Sequence, residues 1–122
     1  LCFFERTLSK EIKIRLTMKS NKPLTIIIAD DDEDDREILK FLFNQNEKFD
    51  LIGCFDSSVE TIKEIMINKN VPDILLIDMY MPLLTGTEVV KKLIDSGINL
   101  DITNNLKKFR GLMFQVPRWR RE

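Results

Sequence analysis

Between Leu24 and Gly97 the apolar positions alternate between short unbroken runs and stripes at helical spacing. Leu24 to Ala29 (LTIIIA) is a β-branched apolar run, the composition of a strand buried on both faces. Ile38, Leu39, Leu42 and Phe43 then recur on one face of a helix whose start is crowded with carboxylates, which meet the positive end of the helix dipole. Phe49 to Phe55 reads as a second strand. Ser57 and Glu60 have the spacing of a capping box, and Val59, Ile62, Ile65 and Met66 give the helix behind them an apolar stripe. Pro72-Asp73 punctuates the chain before a third strand, Ile74 to Ile77. Thr85 and Glu88 form another capping box, Val89, Val90, Leu93 and Ile94 the inner face of its helix, and Gly97 a C′ stop.

These strands begin near positions 24, 50 and 74. A strand–helix unit every ~25 residues with buried strands predicts a parallel sheet joined by right-handed crossovers. The same period places a fourth strand at Ile98 to Thr103, although Asp101 sits awkwardly in a buried strand. Leu106, Phe109 and Met113 have the spacing to line a fourth helix before Pro117, and a fifth strand would begin only where the chain ends. The pattern therefore divides the chain into an N-terminal extension (1–21), a core (22–97) and a divergent C-terminal segment (98–122). The first 17 residues lack a strong period, and Met18 opens a more coherent stretch, so Met18 is expected to be the natural start.

Composition narrows the function classes. A chain of 122 residues with 43% apolar content can build one hydrophobic core. The net charge of −1 creates no global field toward nucleic acid or membrane. The chain has no histidine, which removes the usual general base and the commonest zinc ligand. Cys2 and Cys54 match no metal or redox spacing and read as free thiols of a reducing compartment. No apolar run approaches the ~18 residues of a membrane span, and Leu1 to Phe4 make too short a segment for a secretory signal. A cytoplasmic location is expected. The basic tail with Arg118, Trp119, Arg120 and Arg121 reads as a solvated terminus rather than a nucleic-acid or membrane contact.

The candidate chemistry lies in carboxylates. Open parallel sheets carry their functional groups beyond the carboxyl ends of the strands. Asp30 and Asp31 end the first strand and Asp78 ends the third, so adjacent strands would bring three carboxylates together. Such groups resist joint ionisation, and a hard divalent cation relieves them. Asp32, Glu33, Asp34 and Asp35 read instead as a solvated helix start. An EF-hand loop beginning at Asp30 fails, because Asp35 stands where Gly is needed and Phe41 where the bidentate Glu is needed. Pro82 shapes the loop after Asp78, and Met79 and Met81 read as packing residues.

The segments IIIADDDEDDREIL and PDILLIDMYMPLLTG together resemble the receiver domain of two-component response regulators, over roughly Leu24 to Ile94. The specificity lies in combining the strand-end acidic pair with Asp78-Met79-Tyr80-Met81-Pro82 and Gly86 in that order and spacing. The resemblance implies an α/β, flavodoxin-like doubly wound parallel sheet, here with the fourth βα unit doubtful and the fifth missing. It further implies that Asp78 accepts a phosphoryl group from a phosphohistidine on a sensor histidine kinase or phosphotransfer protein. By the same resemblance Asp31 would bind Mg²⁺ directly, Asp30 through water, and Tyr80 through its backbone carbonyl.

The match breaks toward the C-terminus. The family completes its site with a Ser or Thr ending the fourth strand and a Lys ending the fifth. Thr103 is the candidate for the first by position alone; Lys107 and Lys108 come too early for the second. Either the tail from about Asn99 is a frameshifted or truncated end, or the chain is a divergent variant. The leading reading is a phospho-accepting signalling module. The alternative is a pseudo-receiver that acts as a phosphorylation-independent interaction module. A metal-dependent phosphohydrolase would need an acid or base two residues after the nucleophile, where Tyr80 stands, so no enzyme is expected. Output is expected to run through an effector protein, without direct nucleic-acid or membrane contact, and an uncovered sheet edge predicts self-association.

Overall fold

The computed structural model describes residues 22–98 together with the backbone of 101–103 and 111–115. Its elements in chain order are β1 (Leu24–Ala29), α1 (Glu33–Asn44), β2 (Phe49–Phe55), α2 (Ser58–Ile62, widening into a π turn over Lys63–Ile67), β3 (Ile74–Asp78), α3 (Gly86–Asp95), β4 (Asp101–Thr103) and β5 (Gly111–Gln115). The sheet order is β2-β1-β3-β5-β4. β1 lies between β2 and β3 and pairs with both in parallel, with a bulge against β2 where Ile26 and Ile27 face Leu51 and Gly53.

Alternation along the central strands gives the sheet two apolar faces. Ile26, Ile28, Ile74 and Leu76 point to the side covered by α1, where Phe43 packs. Ile27, Leu75 and Ile77 point to the other side, against Ile65 of the second helical segment and Val89, Val90 and Leu93 of α3. Strands with both faces covered require unbroken apolar sequence, and β1 and β3 have it. Each such side chain removed from water contributes about 1.5–3 kcal/mol. Phe43 and Phe49 meet edge to face, centroids 5.2 Å apart at 82°, which fastens α1 to the start of β2.

Local signals set the boundaries. Thr85 accepts the Glu88 N–H while the Glu88 side chain accepts the Thr85 N–H, the reciprocal capping box expected from sequence. At the other end of α3, Gly97 takes φ +94°, its N–H donating to Ile94 O and that of Ile98 to Leu93 O. This is a Schellman closure, which needs the left-handed region that glycine enters freely. Beneath the sheet, buried Asp73 accepts from both the backbone N–H and the hydroxyl of Thr25, locking the N-terminal ends of β3 and β1 together.

The C-terminal part departs from the expected periodicity. No fifth parallel βα unit appears among the described residues, but a fifth strand does: β5 runs antiparallel to β3 and occupies the position beside it. The fourth strand is shorter than expected and lies beyond β5, antiparallel to it, at the sheet edge. Met113, assigned by its spacing to a helix, stands in β5. The segment Gly-Leu-Met-Phe-Gln is as compatible with a short buried strand as with a helical stripe, and pairing against β3 decides between them. Leu106 and Phe109 lie outside the described residues, as do Cys2, Lys107, Lys108, the basic tail and the 1–21 extension. Three residues expected on inner helical faces, Ile38, Val59 and Ile94, are exposed. Each lies at the margin of a stripe whose centre is held by Phe43, Ile65 or Leu93.

Candidate functional site

Backbone contacts at the carboxyl end of the sheet fix where the acidic groups point. Asp30 follows β1 directly, and its N–H donates to Phe55 O at the end of β2 (3.0 Å). Its carbonyl accepts Nη1 of Arg36 from the first turns of α1 (2.8 Å). Its carboxylate Oδ1 accepts the Asp32 N–H (2.9 Å), turning the chain into α1, where Asp32 caps the helix by accepting from Asp35 N–H. Asp32, Glu33, Asp34 and Asp35 are exposed, a solvated helix start.

Asp78 closes β3 next to β1. Its Oδ1 accepts the Tyr80 N–H (3.0 Å), which draws the following loop over the strand end. The loop closes where Gly86 N–H donates to Met79 O (3.1 Å). A Cβ on Gly86 would stand 2.6 Å from Asp78 O, so any side chain there would push on the end of β3. Met81 is buried among the residues facing α3, a packing residue as expected.

The fold thus brings Asp30, Asp31 and Asp78 together, with one ligand oxygen from each within 4.8 Å of the others. Asp30 is buried, Asp78 partly buried and Asp31 exposed, so the cluster opens to solvent on one side. Burial pushes the Asp30 carboxyl up to about 6, opposed by the Asp32 N–H and reinforced by the negative charges of Asp78 and Asp35 and a hydrogen bond shared with Asp78. Among the described residues no lysine or arginine forms an ion pair with these three groups. An all-oxygen, anionic and open cluster of this size fits Mg²⁺, which takes carboxylate and carbonyl oxygens and keeps several waters.

The other candidates fall in two classes. Tyr80 stands at the rim of the cluster by its backbone, with its side chain exposed. Thr103 is not brought to the cluster. It lies on β4, in register with Met113 of β5, which is in register with Leu76 of β3. Two strand spacings of about 4.8 Å therefore separate its backbone from β3. The residue paired directly beside Asp78 is Gly111. Arg36 and Ser58 were not legible as site residues. The signal for Ser58 was available: Ser58, Thr61 and Ile65 lie at helical spacing and are the fully buried face of that helix.

Comparison with known proteins agrees with this geometry. The family described as response regulator receiver domain matches residues 26–103. The chain is 32% identical over 68 residues to the transcriptional regulatory protein YdfI of Bacillus subtilis (strain 168), covering 56% of this chain and 31% of that protein. It is 25% identical over 72 residues to the protein-glutamate methylesterase/protein-glutamine glutaminase of the same organism, covering 59% and 20%. The chain thus spans about a third or less of the length of these relatives. Among solved structures, the signal receiver domain of the putative response regulator NarL from Mycobacterium tuberculosis aligns with a TM-score of 0.57 at 20% identity, over 62% of this chain and 59% of that one. The response regulator domain of Thermotoga maritima CheB aligns with a TM-score of 0.56 at 22% identity, over 62% and 55%. Both structural likenesses speak to the fold.

Proposed function

The chain belongs to the response regulator receiver family, and we propose that it is a phospho-accepting signalling module in which Asp78 takes the phosphoryl group. The observation that carries this reading is the convergence of Asp30, Asp31 and Asp78 at the carboxyl end of β1 and β3. In the proposed step an Asp78 carboxylate oxygen attacks the phosphorus of a phosphohistidine on a partner kinase or phosphotransfer protein. The P–N bond breaks, an acyl phosphate forms, and the departing imidazole recovers a proton. Asp31 and Asp78, with Asp30 behind them and the Tyr80 carbonyl at the rim, would hold Mg²⁺. Bound there, the ion supplies charge neutralisation for the transferring oxygens. On this reading the Tyr80 N–H holds one Asp78 oxygen in place beside the buried Asp30.

The domain's own chemistry on this reading is a single self-modification rather than substrate turnover, and its output runs through an effector protein. Among the described residues no helix is long and apolar enough to cross a membrane. The test is intact-mass analysis after treatment with acetyl phosphate and Mg²⁺. One phosphoryl adduct is expected on the wild type and none on Asp78→Asn. A folded wild type that takes no adduct would overturn the proposal in favour of a phosphorylation-independent interaction module.

A further inference from the structure

The loop after β3 has a feature that its exposed surface does not explain. Leu83 takes φ +73°, a region that L side chains enter at a cost, while being 86% exposed. No packing of its side chain rewards that conformation. The neighbours show what does: Met81 before it is buried, and Leu84 after it packs against the same core cluster. Inverting the backbone at Leu83 lets both turn inward.

A strained residue persists where its surroundings over-determine it. Two bonds are internal to the loop, Leu84 N–H to Pro82 O (2.9 Å) and Gly86 N–H to Met79 O (3.1 Å). A further bond reaches from outside. Ser58, buried at the first position of α2, donates its hydroxyl to Leu84 O at 2.6 Å. The contact joins residues 26 positions apart. It pins the loop to α2 directly after the strained residue. The same loop supplies the Tyr80 N–H that holds Asp78 Oδ1.

We infer that Ser58 is a positioning residue for the acceptor carboxylate, acting through the Leu84 carbonyl to hold the strained 79–85 loop in the form that orients Asp78. The inference rests on the receiver reading for its functional meaning, but its geometry can be tested without phosphorylation. In Ser58→Ala the partly buried Leu84 carbonyl loses its donor, and the loop relaxes at Leu83. Amide hydrogen exchange at Tyr80 should then speed up by roughly tenfold, while the β1 amides change only with global stability. Mg²⁺ affinity should weaken by a factor of roughly three to ten. Leu83→Gly removes the cost of the positive φ, so Ser58→Ala/Leu83→Gly should recover much of the loss and serves if the single variant does not fold.

Unchanged Tyr80 exchange and unchanged Mg²⁺ affinity in Ser58→Ala would overturn the inference. So would a double variant no better than the single one. If the wild type binds Mg²⁺ but never takes a phosphoryl group, the phospho-accepting reading fails, and the exchange and metal measurements still decide the role of Ser58.

Discussion

At the residue scale, Asp30 carries the most unusual chemistry among the described groups. Its carboxyl is raised from 3.8 to about 6 chiefly by burial, so the folded chain binds its proton more tightly than the unfolded chain does. The stability this group contributes is fully present below pH 3.8 and is lost as pH rises through about 6. In metal-free protein, the denaturation midpoint of the wild type should therefore fall relative to Asp30→Asn across that window. Mg²⁺ should close the gap in the wild type, more strongly at pH 7 than at pH 5, because the ion competes with the proton for the same oxygens. Denaturant titrations of both proteins at several pH values, with and without Mg²⁺, check this. Cys54 behaves otherwise: burial raises its thiol, which matches a free packing cysteine rather than a reactive one.

At the element scale, the ends of the helices and the loop after β3 do the positioning. Thr85→Ala removes half of the capping box that starts α3 and should cost about 1 kcal/mol in unfolding free energy. Gly86→Ala, one residue on, should cost more and also weaken Mg²⁺ binding, because its methyl group would press on Asp78 O. Comparing the two variants by denaturation and metal titration separates helix stability from site geometry. Thr103 belongs to this scale as well. With β5 between β4 and β3, Thr103→Ala should change the rate of adduct formation on Asp78 less than about twofold. Single-turnover labelling with acetyl phosphate measures it.

Legibility in the sequence followed the same division. β1 was readable to the residue and β3 to within its last residue, because strands covered on both faces need apolar runs bounded by polar turns, and the edge strand β2 was readable to the residue from its apolar and aromatic content. The acidic trio was readable because strand ends are where an open sheet exposes its groups. The partners of Ser58 and Asp73 were not, since their hydrogen bonds to Leu84 and Thr25 join residues 26 and 48 positions apart, and the bond of Arg36 to Asp30 O, six residues back, depends on how the chain turns from β1 into α1. The antiparallel β5 escaped for a different reason. Periodicity predicts where a strand falls, but not which neighbour it chooses, and Met113 fitted both a helix stripe and a strand.

At the scale of the whole molecule, three parallel strands clad by α1 on one side and by α2 and α3 on the other form the unit that builds the site. β2 is one edge of this sheet, and β4, three residues long, is the other. Strand edges are templates for pairing, so concentration-dependent association is expected, with a sedimentation coefficient that rises as protein concentration is raised. A single species across that range would remove edge pairing from the account. The interposed β5 also places Gly111 in register with Asp78. On the proposed reading, the groups that the described residues bring beside a phosphoryl group on Asp78 come from the carboxyl ends of β1 and β3.

That dependence makes the location of the modification the decisive observation. An acyl phosphate is reduced by borohydride to a homoserine at the position of the modified aspartate, which peptide sequencing by mass spectrometry then reads. After treatment with acetyl phosphate, the account predicts homoserine at position 78 with Mg²⁺ present and very little with the ion chelated. Reduction at any other position, or an Mg²⁺-treated folded protein that yields none, would contradict it.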